Sequence, residues 1–364
     1  MSTSETPQIS LLEASTESFQ KGLVAFREGD KESAKPHMQE ALTANPYDIG
    51  AMVILSLIDP EFEKEKGLFS SEAHRKAFVE ITKSPHAKNL RRVGNNLVLQ
   101  LATDSDRAAL KIVDIGIGTA VQEAELIRQL ADSTNVKKVE IIGIEPVKEM
   151  SGMALQRLQS PEVQNAGVDI DFQTVNATGQ NIPEQCIDGI RGKLVDVVLA
   201  TISIHHATIE EKRKTLRAIR AMNPKYFVLA DVNSDHESDL PKFSDELADN
   251  VRRFYSLAYQ TLCEWADKNF PGREDIKAAF KKFNFDEARN ILSRDYPNVA
   301  DYHTTADRWR QLMQEEGFKI VNPQSIKGIT DGLEGDIEVT DDTVYMLITE
   351  NRKLFFALIA EPIK

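Results

Sequence analysis

The stretch Lys111-Ile112-Val113-Asp114-Ile115-Gly116-Ile117-Gly118 decides how the rest of this 364-residue chain is read. Its first five residues are short and mostly apolar, the pattern of a buried strand, and two closely spaced glycines follow directly. A glycine turn after a strand lets the main chain approach a ligand with no side chain between them, and the helix expected next, over about 121–130, begins with unpaired N–H groups. Gly116, Ile117 and Gly118 are therefore candidate binding residues, with Asp114 behind them. The third glycine of a dinucleotide turn is replaced by Ala120, which weakens a pyrophosphate reading.

Further short apolar runs follow at 139–144, 170–175, 195–204 and 226–230, separated by helical patterns. Strands alternating with helices predict an α/β protein with a parallel, doubly wound sheet. Glu145 ends the second run in Gly143-Ile144-Glu145-Pro146, where a carboxylate accepts both hydroxyls of a ribose. A helix N-terminal charge is its structural alternative. Ligands of open parallel sheets sit beyond the carboxyl ends of the strands, so His205, His206, Asp231, Asn233 and His236 are candidate substrate contacts. Imidazole titrates near neutrality, which makes His206, then His236, the expected general base. The alternative for His205 and His206 is a structural hydrogen bond at a strand end. Asp231 and Asn233 bind an amine or hydroxyl or cap the next helix; Tyr255 lines the pocket or packs in a core. His236, Asp231 and Asp235 have no metal-ligand spacing, and no metal is expected.

On the N-terminal side, residues 1–10 read as disordered and helical spacing starts at Leu11. Gly22, Ala34, Ala41 and Pro46 have the offsets of one tetratricopeptide-like helix pair. One repeat cannot bury its own face, so a helical cap over 11–103 is expected rather than a repeat array. The charged run 59–66 reads as an exposed connection, with helix resuming near Ser70 and again from about 85 to 101. The boundary is placed at Asp104-Ser105-Asp106. A sheet domain over 104–364 then carries a helical insertion at about 240–313 and ends in a hairpin: strand 343–350, turn 351–353, strand 354–360.

The composition narrows the function. With 41% hydrophobic residues the chain can bury a large core, while a net charge of −13 disfavours a broad electrostatic grip on nucleic acid. Cys186 and Cys263 sit in no ligand spacing and suit a reducing compartment. The first residues lack a secretory pattern, and no apolar run approaches the ~20 residues of a membrane span, so a cytoplasmic protein is expected.

Taken in order, Val113-Asp114-Ile115-Gly116-Ile117-Gly118, Ile204-His205-His206, Pro224-Lys225-Tyr226-Phe227-Val228-Leu229-Ala230-Asp231, Phe254-Tyr255-Ser256, Trp309-Arg310 with Gly317-Phe318, and the final hairpin resemble a class I methyltransferase dependent on S-adenosylmethionine. More specifically they resemble the GRAS-domain family, known from plant regulators and from bacterial relatives with the methyltransferase fold. The resemblance runs from about residue 85 to the end. The long low-complexity N-terminus of plant members is missing, which favours a bacterial-type relative.

The resemblance implies a Rossmann-like class I methyltransferase sheet with an antiparallel C-terminal hairpin, a helical N-terminal cap and a helical insertion after strand five. It implies S-adenosylmethionine contacts at Asp114, Gly116 and Gly118, Glu145 on the ribose with Pro146 beside it, Asn176 and Ala177 near the adenine, and Thr201 near the methionine end. Asn95 and Asn96 would cap the cofactor carboxylate. The expected function is in-line methyl transfer to O, N or C of a small metabolite, leaving S-adenosylhomocysteine. Its partner would be that acceptor, with no nucleic acid and no membrane, and a homodimer stays open. The alternative is a non-catalytic GRAS-like interaction or regulatory protein. An NAD-dependent oxidoreductase is third, because the same turn and acid serve dinucleotides; the hairpin and the missing glycine count against it.

Overall fold

The computed structural model describes residues 11–59, 80–104, 107–190, 194–294, 301–348 and 352–363. The expectations for residues 1–10, for the connection beyond Asp59, for a helix near Ser70 and for Ser105-Asp106 lie outside them. The chain is a mixed α/β protein that divides into two compact units, Met1–Ser84 with Ser234–Asp301 and Pro85–Asn233 with Tyr302–Lys364. This differs from a boundary at 104. The helix Pro85–Asp104 packs on the sheet through Leu90, Val93 and Leu97, and the insertion joins the N-terminal helices through contacts far apart in sequence.

The second unit is built on a nine-stranded sheet. Its strands are β1 (Ala109–Ile115), β2 (Lys138–Ile144), β3 (Asp169–Val175), β4 (Val197–Thr201), β5 (Tyr226–Val232), β6 (Phe318–Ile320), β7 (Ile337–Val339), β8 (Val344–Ile348) and β9 (Arg352–Pro362). The order is β3-β2-β1-β4-β5-β9-β8-β7, with β6 also on β9. The first five are parallel, and β9 runs antiparallel to both β5 and β8.

Side chains alternate between the two faces of a strand, and here each face has its own core. Leu110, Ile112, Val139, Ile141, Val197 and Leu199 pack on one side against helices Pro85–Asp104 and Val121–Ser133. Val113, Ile115, Ile142, Ile144, Val198 and Ala200 pack on the other, against Ile209–Met222 and Ala306–Glu315. The last of these helices, with the fully buried Trp309, therefore belongs to the sheet and not to the expected insertion. Strand β4 stops at Thr201, short of the expected 204, because Ile202 adopts φ +49° and residues 204–206 form a helical turn.

The first unit is helical: Thr16–Arg27, Lys31–Ala44, Ile49–Ile58, Asp245–Asn269 and Glu274–Ser293 are its longer elements. The first two pack against each other over the stretch where the tetratricopeptide-like pair was expected. A Cβ at Gly22 would lie 2.9 Å from Met38 Cε, and Ala34 and Ala41 are buried, so small residues set how closely the helices meet. The unit also buries an ion pair completely. Arg252 Nε donates to Asp48 Oδ2 at 2.8 Å, its Nη2 to the carbonyl of Leu12 at 2.8 Å and its Nη1 to Thr16 Oγ1 at 3.1 Å, while Ser15 Oγ donates to Asp48 Oδ2 at 2.9 Å. The guanidinium lies over the ring of Phe19, 4.8 Å from its centroid.

Candidate functional site

The carboxyl ends of β1, β2, β4 and β5 carry the candidate site of the sheet unit. Gly116 and Gly118 take φ +80° and +55°, backbone that side chains rarely adopt. At Gly116 a Cβ would stand 2.3 Å from Ser203 Cβ, so only glycine fits there; at Gly118 the nearest atom, Met150 Cε, is 3.8 Å away. The first turn position thus packs on the strand-four exit and the second stays open. Ala120 takes φ +54° at the start of helix Val121–Ser133 and supplies no side-chain cap, so the helix begins with N–H groups unclaimed by a capping side chain.

Glu145 is nearly buried at the end of β2. Its Oε2 accepts from the N–H of Gly118 at 3.0 Å and its Oε1 from that of Val147 at 2.9 Å. Burial raises its pKa, partly offset by those two N–H groups and by His206. Each oxygen keeps a further lone pair, because a carboxylate offers about four acceptor positions. Asn176 donates from Nδ2 to the carbonyl of Pro146 at 3.1 Å and so holds the turn around Glu145, with Ala177 behind it.

At the other strand ends, His205 Nδ1 meets Asp231 Oδ1 at 3.1 Å, and that oxygen also accepts from the N–H of Val232 at 2.8 Å. Asp231 Oδ2 and the hydroxyls of Ser203 and Thr178 are buried with no hydrogen-bond partner among the described residues. His206 is exposed, its ring 4.1 Å from that of His205. Thr201 and the left-handed Ile202 lie between Gly116 and this group in the register of the strands, since Thr201 pairs with Ala230.

Asn233 has a structural task. Its Nδ2 donates to the carbonyl of Lys353 at 2.7 Å and its Oδ1 accepts from the N–H of Ala306 at 2.9 Å, tying β9 and the helix Ala306–Glu315 to the end of β5. Replacement by Ala is expected to cost about 1–2 kcal/mol in urea unfolding, from two main-chain groups left unpaired; a loss below about 0.5 kcal/mol would remove the clamp from the account. Asn96 is similarly committed: Nδ2 donates to the carbonyls of Ile329 and Asp331, both at 3.0 Å. Asn95, one residue back, is buried with Oδ1 unpartnered.

His236 and Tyr255 belong to the helical unit. His236 is completely buried, bonded through Nε2 to Ser234 Oγ at 2.8 Å and stacked on Tyr255 with ring centroids 6.0 Å apart. Burial pushes its pKa down to about 3, so the imidazole is neutral across the physiological range and too acidic as a conjugate acid for an efficient base at neutral pH. Glu123 joins the residues around the glycine turn without a signal in the sequence. It stands in the first turn of helix Val121–Ser133, where an acid reads as a solvated charge favouring a helix start, yet it is completely buried.

Sheet, glycine turn and strand-end acid define an α/β protein in which a glycine turn and a buried acid meet at the carboxyl edge of the parallel strands. The chain belongs to the GRAS domain family, whose model matches residues 26–328. It is 26% identical over 268 residues to the GRAS family protein RAD1 of Medicago truncatula, covering 69% of this chain and 48% of that one. It is 24% identical over 251 residues to Scarecrow-like protein 29 of Arabidopsis thaliana, covering 62% and 43%. The chain spans about half the length of the curated relatives it matches. The structure of SCL7 from Oryza sativa superposes with a TM-score of 0.71 at 14% identity, covering 95% of this chain and 99% of that one, which shows a shared fold.

These matches correct the functional expectation. The relatives are named as GRAS and scarecrow-like proteins and not as methyltransferases, so the methyltransferase assignment is withdrawn, and the catalytic roles of His206 and His236 lapse with it. The expected partner, a small-molecule methyl acceptor to the exclusion of nucleic acid, is withdrawn on the same ground. A fold and its glycine turn do not carry a reaction with them. Among the described residues no helix is long and apolar enough to cross a membrane.

Proposed function

We propose that this protein is a non-catalytic GRAS-type regulator that works by binding a protein partner, and that its sheet edge holds an adenosyl ligand such as S-adenosylmethionine or S-adenosylhomocysteine. The observation that carries the regulatory half is the family match over residues 26–328. The order β3-β2-β1-β4-β5 with an antiparallel β9 supports the finer reading of the sheet as a doubly wound, Rossmann-like one of the class I methyltransferase type.

The residues fit the ligand. Gly118 leaves main chain open at the turn, Glu145 retains acceptor positions for ribose hydroxyls, and Ser203, Thr178 and Asp231 bring buried oxygens that lack partners to the strand ends. Buried polar atoms without partners are uncommon in folded proteins, and their clustering at one edge favours a polar ligand there. The adenosyl group would be held by the turn and Glu145, with Asn176 and Ala177 bordering it.

Calorimetry with the purified full chain tests both halves. S-adenosylhomocysteine and S-adenosylmethionine are expected to bind and NAD is not. Incubation with S-adenosylmethionine and cell-extract metabolites is expected to yield no more S-adenosylhomocysteine than a protein-free control. Sustained formation of that product would overturn the non-catalytic reading; absence of binding by either adenosyl compound would overturn the ligand reading. Glu145→Ala is expected to weaken binding about 10- to 100-fold, the loss of charge-assisted hydrogen bonds of about 1.5–3 kcal/mol. Unchanged affinity would take Glu145 off the ribose.

A further inference from the structure

We infer that β3 is the seam of a symmetric homodimer, in which the strands Asp169–Val175 of two copies of this chain pair antiparallel about a two-fold axis at Phe172. Within one chain β3 has a single neighbour in the sheet, β2, along an unbroken parallel register from Lys138↔Asp169 to Ile144↔Val175. The N–H of Asp169 donates to the carbonyl of Lys137 at 2.8 Å, and the carbonyl of Val175 accepts from the N–H of Glu145 at 3.0 Å. In a parallel ladder one residue turns both main-chain groups to its neighbour and the next turns both away. Asp169, Asp171, Gln173 and Val175 therefore face β2, while Ile170, Phe172 and Thr174 present their N–H and C=O groups at the open edge. No described residue bonds those groups.

An edge of this kind accepts a further strand, and native sheets blunt it with brevity, proline, bulges or charge. The other end of the sheet is blunted by brevity, since β7 spans only Ile337–Val339. β3 has seven residues with no proline and no bulge, and its only charges are Asp169 and Asp171. Those two acids fit a second copy. With the axis at Phe172, Asp169 faces the second copy's Val175, Asp171 faces its Gln173, Ile170 faces its Thr174 and the two Phe172 rings are opposite each other. No acid then meets an acid, whereas an axis at Asp171 would set two carboxylates directly opposite, which is unfavourable. The facing outward residues exchange both main-chain hydrogen bonds across the seam.

The side chains agree with this axis. Ile170 and Phe172 are half-buried on the face that the helix Lys148–Leu158 covers. That helix turns one flank to the glycine turn, where Arg157 bonds Thr119 and Met150 approaches Gly118. At about 100° per residue Leu155 lies on the opposite flank, toward the outer side of β3, and it is 42% exposed. A two-fold axis normal to the sheet carries each face across the seam, so the two copies of this helix meet along that flank and cover Leu155. Two chains of net charge −13 repel at long range, and association strengthens as salt screens that field.

Sedimentation velocity on the full chain tests the seam. The wild type is expected to pass from monomer to dimer in the micromolar range, at lower protein concentration in about 0.3 M salt than in about 0.05 M. Gln173→Lys places two opposite-charge pairs across the seam and is expected to tighten the dimer about three- to tenfold, while Gln173→Asp loosens it by a similar factor. Gln20→Lys, the same change of charge on an exposed position of the helix Thr16–Arg27, is expected to leave it within about twofold. Thr174→Pro removes an outward N–H without touching the ladder to β2, and is expected to abolish the dimer with little change in melting temperature. A wild type that stays monomeric at about 100 μM overturns the homodimer and leaves the edge to a strand from another protein. A dimer indifferent to the changes at Gln173 and Thr174 overturns it too, because its seam then lies elsewhere.

Discussion

Arg252→Ala is expected to destabilise the helical unit by about 3–5 kcal/mol, the usual cost of removing one partner from a buried ion pair. Asp48 is completely buried, and with Arg252 gone the Ser15 hydroxyl and the N–H of Ala51 are what remain as its donors among the described residues. The substitution also strips packing from Phe19. Urea unfolding followed by tryptophan fluorescence resolves the effect, because the only two tryptophans fall one in each unit: Trp265 in the helical unit and Trp309 in the sheet unit. In a Trp309→Phe background Trp265 reports the helical unit alone. The double change Arg252→Met with Asp48→Leu is expected to recover most of the loss, since no charge is then left buried. A single-variant loss below about 1 kcal/mol would mean that water reaches the pair and that its burial does not govern its energy.

The second large effect is at the glycine turn, where two neighbouring glycines are expected to respond in opposite ways. Gly116→Ala forces a methyl to within 2.3 Å of Ser203 Cβ in a backbone conformation unfavourable to alanine. Overpacking and left-handed strain together amount to about 3 kcal/mol or more, so the sheet unit should lose stability outright. Gly118→Ala meets no atom closer than 3.8 Å, and its cost to stability is expected to be only about 1 kcal/mol. Its methyl, however, projects where the main chain is open, and adenosyl binding should fall sharply while the melting temperature hardly moves. Equal effects of the two substitutions on stability would show that the turn is structural at both positions.

Much of the sheet was legible in the sequence because its signal is local. The runs at 111–115, 139–144 and 170–175 became β1, β2 and β3 with one or two residues added at the start, and the glycine turn followed β1 as its spacing required. Strand β5 runs two residues beyond expectation, to Val232, because Asp231 and Val232 pair with Phe356 and Phe355 of β9, a partner more than a hundred residues away. The same non-locality hid the assignment of the insertion. Nothing in the pattern of 234–301 announces that a Cβ at Gly50 would meet Arg252, which is how the two segments of the helical unit become one body.

The site was legible for a similar reason and illegible for another. Gly116, Gly118 and Glu145 follow from position relative to a strand end, and the structure places the turn and the acid in direct hydrogen-bond contact. Glu123 could not be read this way: an acid in a first helical turn looks solvated, and only the packing of the helix Pro85–Asp104 over that turn buries it. Asn233 and Asn96 erred in the opposite direction, being polar residues near the site whose amides are committed to neighbouring main chain.

The two units are interleaved along the polypeptide, each returning after the other has begun. A ribosome delivering the chain from its N-terminus at about 5–20 residues per second therefore holds both units unfinished for much of synthesis, and the helical unit cannot close until residue 301 has emerged. The same interleaving means that a nested deletion series would not separate the units. Every cut between residues 84 and 302 damages both, so activities lost in such a series would map to the arithmetic of the cut and not to the place where the function resides.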